Sequence, residues 1–178
     1  LTHLLREQAD ANRFTVPSLA HLNHRLRDAA ERDEAFCRDF AAGLGLPIVI
    51  ESVDVKSYAE GQRLSREDAA RRLRYQFLER TAATMGATRI AVGHTQDDQA
   101  ETLLLKLMRG AGPAGVGGIY PQRGIVIRPL LDVSRAELRA ELWRREQSWV
   151  EDETNADLEN PRNRIRHVVL PELDEAGE

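Results

Sequence analysis

The segment Arg89-Ile90-Ala91-Val92-Gly93-His94-Thr95-Gln96-Asp97-Asp98-Gln99-Ala100-Glu101-Thr102 constrains this chain more than any other. Its apolar start reads as a buried parallel strand. Its continuation through Leu103-Leu104-Leu105-Lys106-Leu107-Met108-Arg109-Gly110 reads as an amphipathic helix. Three carboxylates therefore stand where a strand hands over to a helix. In open α/β sheets the carboxyl end of the strands is where ligands bind. Asp97 and Asp98 lie four and three residues before Glu101, so Glu101 shares a helix face with both. Clustered oxygen ligands of this kind suit Mg2+, a hard cation that commonly bridges to substrate phosphates. Thr95 and Asp98 also form a capping-box pattern, and acids in a first turn complement the helix dipole. Capping engages one or two of these acids and does not account for His94, the doubled aspartate and Glu101 together, so both readings stand.

Around this segment strands and helices alternate. Leu19–His24 and Pro47–Val55 read as strands, with a helix from Ala29 to Leu44 between them that Gly43, Gly45 and Pro47 close. Ser65-Arg66-Glu67-Asp68 opens a long helix to about Met85, ended by Gly86. Ile125–Leu131 reads as a further strand, Ser134-Arg135-Ala136-Glu137 opens a helix to about Gln147, and a last helix is expected from Pro161 to about Leu170. Gly110–Gly124 and Tyr58–Leu64 read as loops. The expected fold class is α/β: a Rossmann-like parallel sheet with right-handed crossovers and helices on both faces.

A chain of 178 residues suits one domain with a sizeable core, and 42% hydrophobic with 30% charged residues places it among globular rather than disordered chains. No apolar run is long enough to span a bilayer, and no signal-peptide pattern opens the chain, so a cytoplasmic location and no membrane partner are expected. The single Cys37 excludes an internal disulfide and a cysteine-rich metal site, and reads as a small buried residue. A net charge of -4 argues against coating nucleic acid by charge alone. The basic residues nevertheless cluster, at Arg25 and Arg27, at Arg71, Arg72 and Arg74, at Arg144 and Arg145, and at Arg162, Arg164, Arg166 and His167. Such patches can hold a nucleic acid at one defined place. Arg144 and Arg145, beside Glu141 and Glu146, read as a solvated, ion-paired face.

Taken in order, several blocks resemble the N-terminal catalytic domain of the tRNA(Ile)-lysidine synthetase family, within the PP-loop ATP pyrophosphatases (adenine nucleotide alpha hydrolase-like). They are His21 to Arg27; Arg66 to Tyr75; Gly93 to Gly112; Arg128-Pro129-Leu130-Leu131; Trp149 through Asp152, Asn155 and Asp157; and Arg162-Asn163-Arg164-Ile165-Arg166-His167, leading into Val169 to Leu173. The His-x-x-Asp-Asp-x-x-Glu-Thr block is shared with other pyrophosphatases. Its combination with Arg-Asn-Arg-Ile-Arg-His is the more specific signal. The family opens with a strand and a Ser-Gly-Gly-x-Asp-Ser loop whose amides cradle ATP phosphates. This chain has no counterpart, and Leu1-Thr2-His3-Leu4-Leu5 reads as the back half of the helix that follows such a loop. The Arg27-Asp28-Ala29 connection is also short for the family. The expectation is a single catalytic domain over residues 1–178, lacking the first strand, the phosphate loop and the family's C-terminal domains.

The resemblance implies an ATP-dependent ligase that adenylates the wobble cytidine in the anticodon loop of tRNA(Ile) and joins free L-lysine to it, giving lysidine, AMP and pyrophosphate. It implies ATP and Mg2+ as cofactors, with Asp97 and Asp98 on the metal. Glu101 is the candidate for binding the lysine ammonium or taking its proton, since attack needs a neutral amine. His94 reads equally as a contact to phosphate or cytidine and as a structural strand-end residue. His24, Gly93 and Arg109 are candidates on the nucleotide side, although a cation at the position of Arg109 also suits the helix dipole. Arg71, Arg74, Asn163, Arg164 and Arg166 are candidates for tRNA, because guanidinium forks match phosphate and stack on bases. A solvated helix face is the other reading of Arg71 and Arg74. A homodimer is left open. Three rivals remain: a tRNA thiolase, disfavoured by the lone cysteine; a small-molecule amide-forming pyrophosphatase, which has no need of Arg162 to His167; and a catalytically silent RNA-binding fragment.

Overall fold

The computed structural model describes residues 1–12, 14–24, 30–112, 115, 117–151 and 153–177. Arg25, Arg27, the Arg27-Asp28-Ala29 connection and Asp152 lie outside the described residues. The chain divides into two compact units, Thr2–Ile90, and Ala91–Glu178 with Leu1.

The first unit holds α1 (Thr2–Asn12), β1 (Leu19–Asn23), α2 (Ala30–Gly43), β2 (Ile48–Ser52), α3 (Val55–Gln62) and α4 (Arg66–Thr84). β1 and β2 pair in parallel, from Leu19 opposite Ile48 to Asn23 opposite Ser52. α2 is the crossover that a parallel pair requires. The second strand stops at Ser52, short of the expected Val55, because Asp54 turns the chain into a helix: its carboxylate accepts the Ser57 amide at 3.0 Å and the Ser57 hydroxyl at 2.6 Å. The helix that follows corrects the expected loop over Tyr58–Leu64. Val55 and Ala59, one turn apart, bury against Ala69 of α4, with Tyr58, Leu64 and Leu73 packed around them. This burial, worth roughly 1–2 kcal/mol per aliphatic side chain, outweighs Gly61 and the polar residues. α3 closes at Arg63 in the left-handed region (φ 55), with the Leu64 amide bonded back to Ala59 O. α4 starts on its Ser65 cap as expected.

The second unit holds β3 (Ile90–Ala91, at the junction), α5 (Gln96–Met108), β4 (Gln122–Arg123), β5 (Val126–Ile127), α6 (Arg135–Arg144), a 3-10 turn (Glu153–Ala156), α7 (Pro161–Arg164), a π-helical turn (Ile165–Val169) and α8 (Leu170–Gly177). Its sheet runs in the order β3-β5-β4. β4 and β5 form an antiparallel hairpin around Gly124 (φ 60), so the sheet is not all parallel, and the last residues of the expected Gly110–Gly124 loop are strand. The strand expected over Ile125–Leu131 is shortened to two residues. Pro129 lacks the N–H that a longer ladder would need. The last helix runs beyond Leu170 to Gly177, with the π-turn just before Pro171. A proline removes one ladder bond and crowds the preceding turn. The Leu170 amide accordingly reaches back five residues to Ile165 O.

The fold is α/β. Among the described residues no helix is long and apolar enough to cross a membrane.

Candidate active site on helix α5

Thr95 opens α5, and the expected capping box forms. The Thr95 amide donates to Asp98 Oδ2 at 2.8 Å, and the Asp98 amide donates to Thr95 Oγ1 at 3.4 Å. Capping therefore explains one oxygen of one acid. Asp98 Oδ1 accepts Arg135 Nη2 at 2.7 Å. Burial pushes the Asp98 carboxyl up, but the Thr95 amide and the Arg135 guanidinium outweigh it and hold the group below the usual carboxylate range. At Arg135 burial lowers the guanidinium, but the hydrogen bond to Glu101 and the charges of Asp98, Glu101 and Asp97 outweigh it and raise the group.

Glu101 is 0% exposed. Its Oε1 accepts Arg135 Nη1 at 2.9 Å and Arg166 Nε at 2.7 Å, and its Oε2 accepts Arg166 Nη2 at 3.3 Å and pairs with Arg162 Nε at 3.0 Å. A carboxylate has about four lone-pair positions; here three accept hydrogen bonds, and the Arg162 guanidinium stands beside Oε2 as an ion pair. The spacing that brings Arg162 and Arg166 to one acid is that of a helical turn. Arg162 also donates to Thr102 Oγ1 at 3.0 Å, and Arg166 to Asn155 Oδ1 at 2.8 Å. Three acids and three arginines thus balance in one half-buried knot, the condition under which buried charge is tolerated.

Asp97 differs from its neighbours. Its Oδ2 accepts the backbone amide of Arg135 at 2.8 Å, and its Oδ1 has no donor among the described residues. Of the three acids' oxygens, this is the one left open. No group of three or more His, Cys, Asp or Glu side chains able to hold a metal occurs among the described residues. The donor set therefore fits only an ion that draws most of its ligands from phosphate and water, as Mg2+ does with one or two carboxylates. Asp97 fits that requirement, whereas both Asp98 oxygens are engaged.

The other expected residues divide. His94 is half-buried and adds to the charge holding Asp98 down, and Gly93 is exposed. Asn163 is buried and donates to Asp157 O at 2.9 Å, a structural contact. Arg164 is exposed, and its guanidinium meets no acid among the described residues. Arg109 is the C-cap residue of α5. It lies about 18 Å along the axis from Asp97 at 1.5 Å per residue, so the structure does not bring it to the acids. In the first unit, Arg71 lies over the Tyr75 ring at 5.3 Å, and Arg74 is exposed. His24 follows the carboxyl end of β1, and its buried Nδ1 has no partner among the described residues. Burial, then Arg74 and His21, push its pKa down to about 4. Cys37 is half-buried rather than buried; its Sγ lies 3.4 Å from His21 Nδ1, and burial raises its thiol.

Sequence reasoning missed Arg135. It read as the first residue after an N-cap, where a cation opposes the helix dipole. That local misfit was the available signal. Also missed was the strap on the glycine-rich segment. Gln99 Nε2 donates to Ile119 O at 2.8 Å and its Oε1 accepts the Ile119 amide, while Lys106 donates to Gly117 O. A Cβ at Gly118 would meet Gln99 Oε1, so glycine permits this approach.

The PP-loop domain family model matches residues 1–173. The tRNA(Ile)-lysidine synthase of Geobacter sulfurreducens is 46% identical over 158 residues, covering 87% of this chain and 34% of that protein. The enzyme of the same name from Dehalococcoides mccartyi is 47% identical over 167 residues, 87% of this chain and 35% of that protein. That of Thermus thermophilus is 46% identical over 157 residues, 88% and 31% respectively. The chain thus spans about a third of the length of the curated relatives it matches. Among solved structures, the U34-tRNA thiolase NcsA from Methanococcus maripaludis superposes with a TM-score of 0.76 over 98% of this chain and 61% of that one, at 16% identity, a likeness of fold.

Proposed function

We propose that this chain, which belongs to the PP-loop domain family, is the catalytic domain of a tRNA(Ile)-lysidine synthase. One juxtaposition carries the reading. The acids of α5 belong to the block shared by ATP pyrophosphatases, and Arg162 and Arg166 belong to the block that separates the lysidine-forming members by resemblance; both converge on Glu101. Identity of 46–47% to relatives of that name supports the same assignment.

In the proposed reaction the C2 oxygen of the wobble cytidine attacks the α-phosphorus of ATP and pyrophosphate leaves. The neutral amine of lysine then attacks C2, the C2–O bond breaks, and AMP leaves. Asp97 Oδ1 would hold Mg2+, which when bound neutralises charge on the departing pyrophosphate. Arg164 is free to grip tRNA phosphate or stack on the exposed base. Glu101 meets the lysine ammonium by exchange with Arg162 or Arg166 while Arg135 stays in place, a replacement of cation by cation that keeps the buried carboxylate neutralised. His24, neutral at physiological pH, offers a hydrogen bond to an uncharged ring such as adenine.

The test is made with the full-length protein, ATP and labelled lysine on tRNA(Ile) carrying a wobble cytidine. Label enters that tRNA and not a variant with uridine at the position. Absence of both lysine incorporation and ATP–pyrophosphate exchange contradicts the proposal.

A further inference from the structure

We infer that Arg135 is a positioning residue that sets the acidic face of α5, an inference that rests on the proposed function for its kinetic consequence but on geometry for its substance. One residue touches all three acids: its amide reaches Asp97 Oδ2 at 2.8 Å, Nη1 reaches Glu101 Oε1 at 2.9 Å, and Nη2 reaches Asp98 Oδ1 at 2.7 Å. Asp98 and Glu101 are one helical turn apart, and the planar fork of a guanidinium spans them where the point charge of an ammonium would serve one. The tie is reinforced by the backbone, since the Gln96 amide donates to Val133 O at 3.0 Å. The N-terminal turns of α5 and α6 are thereby joined by a main-chain bond, an amide–carboxylate bond and a charged fork.

The placement is unfavourable on local grounds. A cation in the first turn of α6 opposes the helix dipole, and α6 already has its own capping box from Ser134 and Glu137. The arginine is retained in that position by what it reaches on α5. Its two kinds of contact also have separate consequences. The amide that orients Asp97, and so leaves Oδ1 open, belongs to the backbone and survives any side-chain change. The fork that fixes Asp98 and Glu101 does not. Arg135 therefore acts through those two acids on the lysine-dependent step and leaves the nucleotide–metal step to Asp97.

The experiment compares R135A and R135K with the unaltered full-length protein in lysidine formation, measuring KM for lysine and for ATP separately. R135A raises the lysine KM about tenfold or more and leaves the ATP KM within about twofold. R135K falls between, and added ethylguanidinium partly restores R135A, which loss of general stability would not allow. An unchanged or lowered lysine KM overturns the inference, the latter because Arg135 would then be competing with substrate. Equal movement of both constants overturns it as well. If R135A does not fold, R135K is read on the same two constants. A crystal structure of the variant supplies the independent arm: Asp98 and Glu101 keeping their places without the fork overturns the inference whatever the activity. Failure of the unaltered protein to form lysidine would sink the proposed function alone.

Discussion

The ends of two strands handle polar side chains in opposite ways. Beyond β3, the acids of α5 are saturated by guanidiniums and amides, and a single Asp97 oxygen is left open. Beyond β1, His24 is held neutral with an imidazole nitrogen that no described residue engages. The first arrangement keeps permanent charge in a half-buried place by compensating it within the protein. The second keeps a polar group uncharged, so its hydrogen-bonding capacity is available at little electrostatic cost. The difference teaches that an acidic cluster read from sequence is not by itself a cation site: what counts is which oxygens the fold leaves unclaimed.

The largest expected effect breaks the saturated end. Glu101→Gln leaves three guanidiniums facing each other without their shared carboxylate. Removing one partner of a buried ionic group costs about 3–5 kcal/mol, so the urea midpoint of the full-length protein falls accordingly. A loss below about 1 kcal/mol would mean that the knot is loose in solution. Next, Arg164→Ala tests the division within one short segment, where Arg166 is tied to Glu101 and Arg164 is exposed. The expected result is a roughly tenfold rise in KM for tRNA, about 1.4 kcal/mol, with unfolding unchanged within about 0.5 kcal/mol. Arg166→Ala shows the reverse emphasis, with stability lost first. Equal profiles for the two variants would erase the distinction.

The smallest effect concerns the open end. His24 has an ordinary value of 6.5 and a folded value of about 4. Between those limits the unfolded chain takes up a proton that the folded one refuses, so stability is fully present above pH 6.5, declines as pH falls, and levels off below 4. After solvent screening the contribution is on the order of 1 kcal/mol. His24→Gln should flatten that part of the stability–pH curve, measured by urea denaturation across the range. An unchanged slope would show that His24 titrates normally.

Local signals were the legible ones. Thr95, Ser65 and Ser134 cap their helices within three residues of themselves, so the caps could be read directly, although the full box forms only at Thr95 and Ser134. The α/β alternation was legible for the same reason. α3 was not, because its two buried residues, Val55 and Ala59, gain their partner Ala69 only when α4 folds back. The hairpin of β4 and β5 was hidden by strands of two residues each. In the site, the acids and the arginines of residues 162–167 stood out by type and spacing. Their pairing did not, since Glu101 meets Arg166 across 65 positions of sequence. Nor could the sequence tell which Asp97 oxygen stays open, because that depends on where one backbone amide of α6 points.

The division of labour among the acids is tested most directly by the magnesium dependence of ATP–pyrophosphate exchange in D97N and D98N of the full-length protein. D97N keeps an oxygen for the Arg135 amide and loses the charge at Oδ1. Its half-saturating Mg2+ concentration should rise at least about tenfold, roughly 1.4 kcal/mol, while that of D98N stays within about twofold although its stability drops. Equal shifts in the two variants, or a larger one in D98N, would contradict the account.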